Sequence, residues 1–242
     1  MNNSHIVSAF DQDLAQLRNL IAQMGGLAED QFSKSIDALS KSDLKLAEEV
    51  IAADDKIDEL EKELEENAIK LIAKRQPMAA DLRAIMVAIR ISSDLERIGD
   101  LAKNIAKRTL AVNEPLPRSV NAGLKRMAEL AMEQLSDVLD AYASLDTAKA
   151  LDVWHNDSKI DILYNSVFRE LLTYMMEDAR TISMSTHLLF GAKNIERIGD
   201  HTTNIAENIH YLVKGGTIDG PRPKQDSTSV TPVNAPKPKK SK

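Results

Sequence analysis

The chain has 242 residues and a formal net charge of −6; 43% of it is hydrophobic, 4% aromatic, and it contains no cysteine. That is apolar material for one large or two small cores, and the missing cysteines exclude a disulfide framework, a thiolate metal site and a thiol nucleophile. The negative charge argues against a general nucleic-acid binder, which needs a basic face, and no run approaches the ~18 apolar residues of a membrane span.

The opening MNNSHIVSAFDQDL lacks a basic stretch followed by an apolar one, so no signal peptide is expected. Scarce Gly and Pro among abundant Ala, Leu, Glu and Lys favour long helices over sheets. The first helix is expected from about Ser8 to Ser40, with Gly25-Gly26 as a kink or short break. The second starts at Ser42, a good N-cap, and runs to about Arg75, stopped by Pro77. Val50, Ile57, Leu64 and Leu71 form a heptad line in it, the mark of lengthwise packing. A third covers about Ala79 to Leu110, before the turn-rich NEPLP. The fourth spans Ser119 to Leu145 and the fifth Asp146 to Glu177, with Val153, Ile160, Val167 and Tyr174 at heptad spacing. The sixth runs from Ser183 to Lys214 and closes at Gly215-Gly216, a C-cap. Short connections between long helices favour antiparallel neighbours.

The halves repeat one another. LERIGDLAKNIAKR begins at Leu95 and IERIGDHTTNIAEN at Ile195, and DDKIDEL in the second helix matches NDSKIDIL in the fifth. Asp54 and Asp58 correspond to Asp157 and Asp161, and Ile57 to Ile160. The stretch from Asp58 to Glu96 is three residues longer than that from Asp161 to Glu196, which an inter-helix turn absorbs. The sequence therefore divides into a three-helix repeat over 1–112, a second over 113–214, and a tail over 215–242. The tail is rich in Pro, Ser, Thr and Lys and is expected to be disordered, because it cannot bury enough surface to offset its ordering entropy. A docking arm for an acidic partner is the alternative.

Residues four apart share a helix face. Glu96, Asp100 and Asn104 form such a row, as do Glu196, Asp200, Asn204 and Asn208, while Asp54/Asp58 and Asp157/Asp161 make rows on the preceding helices. Each like-charge pair costs an isolated helix ~0.2–0.5 kcal/mol, so rows repeated in register ask for compensating positive charge. At 100° per residue the acids fall nearly opposite the stripe of Ile91, Ile98 and Ile105, away from the core. Two adjacent carboxylate rows offer an all-oxygen site suited to Mg, Mn, Ca or iron rather than zinc. The plain alternative is a solvated acidic face crossed by ion pairs. Gly99 and Gly199 cost ~1 kcal/mol each in a helix interior and mark close approach by another backbone or a bound group. Arg97 and Arg197, a quarter-turn from the acids, suit bridges to a neighbouring helix. Glu207-x-x-His210 resembles half of a di-iron motif, but Lys107 to Leu110 supply no counterpart, and His201 aligns with Leu101. No Ser/His/Asp constellation, phosphate-cradling glycine loop or dinucleotide fingerprint appears, so the residues give no positive argument for an enzyme.

The doubled ERIGD, each preceded by Asp-x-x-x-Asp, resembles the PhoU family of phosphate-transport accessory proteins, with IAKRQPMAADLRAIM from Ile72 and LLTYMMEDARTI from Leu171 reinforcing the likeness. The resemblance extends to about Lys214 and not into the tail. It implies an all-α fold of two pseudo-symmetric antiparallel three-helix bundles, a cytoplasmic location, frequent dimers and no catalysis. It implies a regulator that restrains the phosphate ABC transporter, with the transporter ATPase and a phosphate-sensing histidine kinase as partners, and that keeps phosphate-starvation genes off. It further implies metal ions, including iron, at the motifs carried here by Glu96/Asp100 and Glu196/Asp200, joined through the repeat by Asp54/Asp58 and Asp157/Asp161. A metal-storage or redox bundle and a scaffold whose acids only form ion pairs are the other classes in view.

Overall fold

A computed structural model of the chain describes residues 2–112, 114–226 and 228. Residue 227 and residues 229–242 of the expected tail lie outside the described residues. Among the described residues every regular element is helical: α1 (Asn2–Lys41), α2 (Leu44–Ala53), α3 (Asp55–Arg75), α4 (Ala80–Val112), α5 (Arg118–Ser144), α6 (Thr147–Asn156), α7 (Ser158–Glu177), a 3₁₀ turn (Ala179–Thr181) and α8 (Ile182–Lys214).

The second and fifth expected helices are each two helices, broken at Asp54 and at Asp157. Both breaks have the same construction. The Ile57 N–H donates to the Asp54 carbonyl and the Ile160 N–H to the Asp157 carbonyl, each at 3.0 Å, a tightened turn in place of the i→i−4 bond. Polar residues crowd both points, Asp54-Asp55 in one and Asn156-Asp157-Ser158 in the other, and they are weak helix formers. The N-cap expected at Ser42 is Asp43, whose carboxylate accepts the Leu46 N–H at 3.0 Å. Asp146 caps α6 in the same way, accepting from Ala148 and Lys149. No break forms at Gly25-Gly26; α1 continues through it as one helix. Gly25 serves instead as a crossing point, since a Cβ there would lie 2.7 Å from Leu139 Cδ2 of α5.

Counting α2 with α3 and α6 with α7 as broken rods, each repeat is three rods, and α4 and α8 pack along one another as the common spine. Buried Ala88, Gly99, Ala102, Ala106, Gly191, Ala192, Gly199 and Ala206 let neighbours approach these two helices closely. One large apolar cluster runs through both repeats, from Leu17, Ile21 and Phe32 to Leu171 and Ile209, and a small one of Ala38, Ala47, Val50 and Ala106 lies apart from it. Both heptad lines are buried in the large cluster except Val50, which is buried in the small one, and Tyr174, which is half-buried with its hydroxyl 3.2 Å from Ser119 Oγ. After Gly215, which ends α8 in the left-handed conformation, residues 217–226 run without helix or strand back along the second repeat.

Candidate functional site: two acidic grooves

The acidic rows assemble as two grooves, each between a broken rod and a spine helix. Their burial corrects the expectation of an outward face. Asp54, Asp157, Asp161 and Glu196 are 2–3% exposed, while Asp58, Glu96, Asp100 and Asp200 stay partly open. The Ile91/Ile98/Ile105 stripe does enter the core, but neighbours pack on more than one side of α4 and α8. A residue opposite that stripe therefore meets a helix junction instead of water.

Gly99 and Gly199 explain how the broken rods come so close. A Cβ at Gly99 would lie 2.9 Å from Ile57 Cδ1, 3.2 Å from Gln31 Oε1 and 3.6 Å from Asp54 Oδ1. One at Gly199 would lie 2.8 Å from Ile160 Cδ1, 3.5 Å from Asp157 Oδ1 and 3.6 Å from Gln134 Oε1. The same Asp, Ile and Gln therefore face the same glycine in both repeats. Sequence inspection overlooked the Gln pair, although Gln31 and Gln134 stand the same 103 positions apart as Asp54 and Asp157.

The positive charge that the rows require is present, and each repeat supplies it differently. In the first groove Lys103, one turn beyond Asp100, bonds Asp54 Oδ2 and, at 2.7 Å, Asp100 Oδ1. Burial pulls the Lys103 ammonium down, but its bonds to Asp100 and Asp54 outweigh that and hold it above the usual lysine range. The expected inter-helix bridge by Arg97 is not formed; its ion pairs, to Glu96 at 3.3 Å and Asp100 at 3.6 Å, stay on α4. At the repeat position of Lys103 the second half has Thr203, whose hydroxyl donates to the Gly199 carbonyl. There Arg222, from beyond the last helix, takes over. Its Nη2 lies 3.0 Å from Asp157 Oδ2 and 2.7 Å from Asp200 Oδ1. Lys224 adds a contact to Asp200 at 3.1 Å, and Lys193 pairs with Glu196 at 2.8 Å.

The fields in the grooves move the carboxyls alike. Burial, reinforced by Asp100, Glu61 and Asp58 against Arg97, pushes Glu96 up to about 7. Burial pushes Glu196 up to about 7 as well, although its bond to Lys193 pulls the other way. Asp54 and Asp157 also rise through burial, against the pull of Lys103 and Arg222.

Among the described residues, no three Asp, Glu, His or Cys side chains converge to hold a metal ion. The oxygen donors are of a kind that suits a hard cation, but Lys103 and Arg222 stand between the acids, so the arrangement as it is does not fit a resident metal. The Asn members of the second row bond elsewhere, Asn208 to the Asn204 carbonyl at 3.0 Å. Asn204 donates to Asp94 Oδ1 at 3.2 Å, and His201, which had no evident partner in sequence, contacts the same oxygen at 2.9 Å across the α4–α8 spine. Glu207 accepts from Trp154 Nε1, while His210 contacts the Gly216 carbonyl, so that pair does not act together either.

A duplicated helical protein with an Asp-x-x-x-Asp row and an ERIGD row in each repeat defines the class. The PhoU domain matches residues 21–109 and 124–209, and the chain belongs to the PhoU family. It is 56% identical over 231 residues to a phosphate-specific transport system accessory protein PhoU homolog of Rhizobium meliloti, covering 95% of this chain and 98% of that one. To the homolog of the same name from Caulobacter vibrioides it is 49% identical over 226 residues, 93% of this chain and 98% of that one. Among solved structures, PhoU from Pseudomonas aeruginosa superposes with a TM-score of 0.83 at 37% identity, covering 86% of this chain and all of that one. The phosphate transport system regulatory protein PhoU from Streptococcus pneumoniae gives 0.80 at 30% identity, with 87% and 99% covered. No helix among the described residues is long and apolar enough to cross a membrane.

Proposed function

We propose that this chain is a cytoplasmic regulatory adaptor of phosphate uptake and signalling that works by protein contacts, not by catalysis. In this reading it restrains a phosphate ABC transporter through its ATPase. Through a phosphate-sensing histidine kinase it represses phosphate-starvation genes, and it acts as a homodimer. What carries the reading is likeness along nearly the whole chain to proteins named as accessory to phosphate-specific transport. A clean deletion tests it: phosphate-starvation genes should be derepressed in phosphate-rich medium. Unchanged expression would sink the proposal.

Metal binding is proposed on a narrower condition. A cation could use Asp54, Asp58, Glu96 and Asp100, or Asp157, Asp161, Glu196 and Asp200, only by taking the place of Lys103 or Arg222. Elemental mass spectrometry of purified protein beside an Asp100→Asn/Asp200→Asn variant of equal helicity decides it. Stoichiometric metal that the variant loses supports the site. No metal in either leaves the acids as partners of the chain's own cations.

A further inference from the structure

The two grooves match in their acids and differ in how firmly their cation is attached. Lys103 is rooted in α4, so its side chain can swing but its anchor stays within reach of Asp54 and Asp100. Arg222 sits on a segment that has no helix or strand, begins after Gly215 and lies outside the residues matched to the PhoU domain. Pro221 and Pro223 hold φ near −65° on either side of Arg222, which keeps that stretch extended.

The segment is held as a bound peptide would be. The guanidinium donates through Nε to Asp157 Oδ2 at 3.1 Å, and through Nη2 to the Asp200 carboxylate at 2.7 Å and its backbone carbonyl at 3.3 Å. The backbone N–H groups of Gln225 and Asp226 donate to Asp161 Oδ2 at 2.7 and 3.2 Å. Asn165 Nδ2 donates to the Gln225 carbonyl at 2.9 Å, and Lys193 pairs with Asp226 at 2.9 Å. One arginine is read by two carboxylates, and the following backbone, whatever its side chains, by a third and an amide. Packing beneath is loose: a cleft of about 700 Å³ bordered by Asp94, Trp154, Glu207 and Tyr211 has Ile218 and Arg222 in its wall.

A fixed lysine suits a permanent structural pair, whereas a tethered arginine leaves the groove exchangeable. We propose that the second acidic groove, formed by Asp157, Asp161 and Asp200, is a docking site for an extended arginine-bearing segment of a partner protein, and that residues 217–226 occupy it in cis as an autoinhibitory mimic. This goes beyond the regulatory role by naming the surface and the chemistry of the segment it takes, and it requires no metal. Tethering gives the chain's own segment a high effective concentration, so a partner gains the groove when the segment is weakened.

The test uses the full chain and a fluorescein-labelled peptide with the sequence of residues 217–228, TIDGPRPKQDST. An Arg222→Ala/Lys224→Ala variant alters no helix and should keep the wild-type circular dichroism. At low salt it should bind the peptide roughly ten- to a hundred-fold more tightly than wild type, whose groove is filled in cis. Adding Asp157→Asn/Asp200→Asn should abolish binding, as should Arg222→Ala within the peptide. Hydrogen exchange provides an independent reading: Gln225 and Asp226 amides should be protected in wild type and lose protection in the double variant. Equal affinity for both chains, no binding to the variant, or unprotected wild-type amides would each overturn the proposal.

Discussion

Glu96 and Glu196 are the residues whose chemistry departs furthest from what their place in a charged motif suggests. Both carboxyls are held up to about 7 against an ordinary 4.5, so between those values the folded chain binds protons that the unfolded chain has released. The stabilisation from protonation is complete below about pH 4.5 and is lost as the pH rises through about 7. A Glu96→Gln/Glu196→Gln chain should melt close to wild type at pH 5 and several degrees higher at pH 8, at ~2–4 °C per kcal/mol for a chain of this size. A gap that shrank with rising pH would contradict this. The motif glycine makes an equally specific prediction. Gly199→Ala gains helix propensity of ~1 kcal/mol but drives a methyl into Ile160 Cδ1, and overpacking of that kind costs ~1–3 kcal/mol. Urea melts should show a net loss, and Ile160→Val, which removes the clashing methyl, should relieve it within a double-mutant cycle. Additive effects would mean that the glycine is there for some other reason.

The informative elements are the two broken rods. The heptad lines made α2–α3 and α6–α7 look continuous, but only the α6–α7 line stays within one core across its break, since Val50 of α2 packs in a cluster apart from Ile57, Leu64 and Leu71 of α3. The breaks fall where a buried Asp must turn toward a spine helix, so a feature lost to the periodicity reading lies at the site itself. Lys103 clamps the first break to α4. Lys103→Met should destabilise the chain by ~3–5 kcal/mol, because Asp54 is left buried without its partner. The loss should shrink toward low pH, where Asp54 protonates; thermal melts at pH 4.5 and 7.5 compare the two. Arg222→Ala should cost far less, because its segment detaches without disturbing a helix and water reaches Asp157.

At the scale of the whole molecule, one continuous core joins the repeats through the α4–α8 spine. Scanning calorimetry should therefore show a single cooperative transition; two resolved transitions would mean that the repeats are separately stable. The helical fold, the duplication and the acidic rows were legible in the sequence, because apolar period, helix propensity and a motif repeated one hundred positions apart are local properties of the chain. Lys103 was within reach too, one turn beyond Asp100 and replaced by Thr203 in the other repeat. Burial of the acids was not legible, because helical phase gives the direction of a side chain but not what stands there. Nor was Arg222 legible: a proline-flanked arginine in a polar tail has no periodicity, and its meeting with Asp157 sixty-five positions away exists only once α7, α8 and the returning segment are in place. Composition and local pattern set which residues carry charge and which form helices. Which charges meet is settled by packing, because ion pairs between distant segments depend on an arrangement that no local pattern encodes.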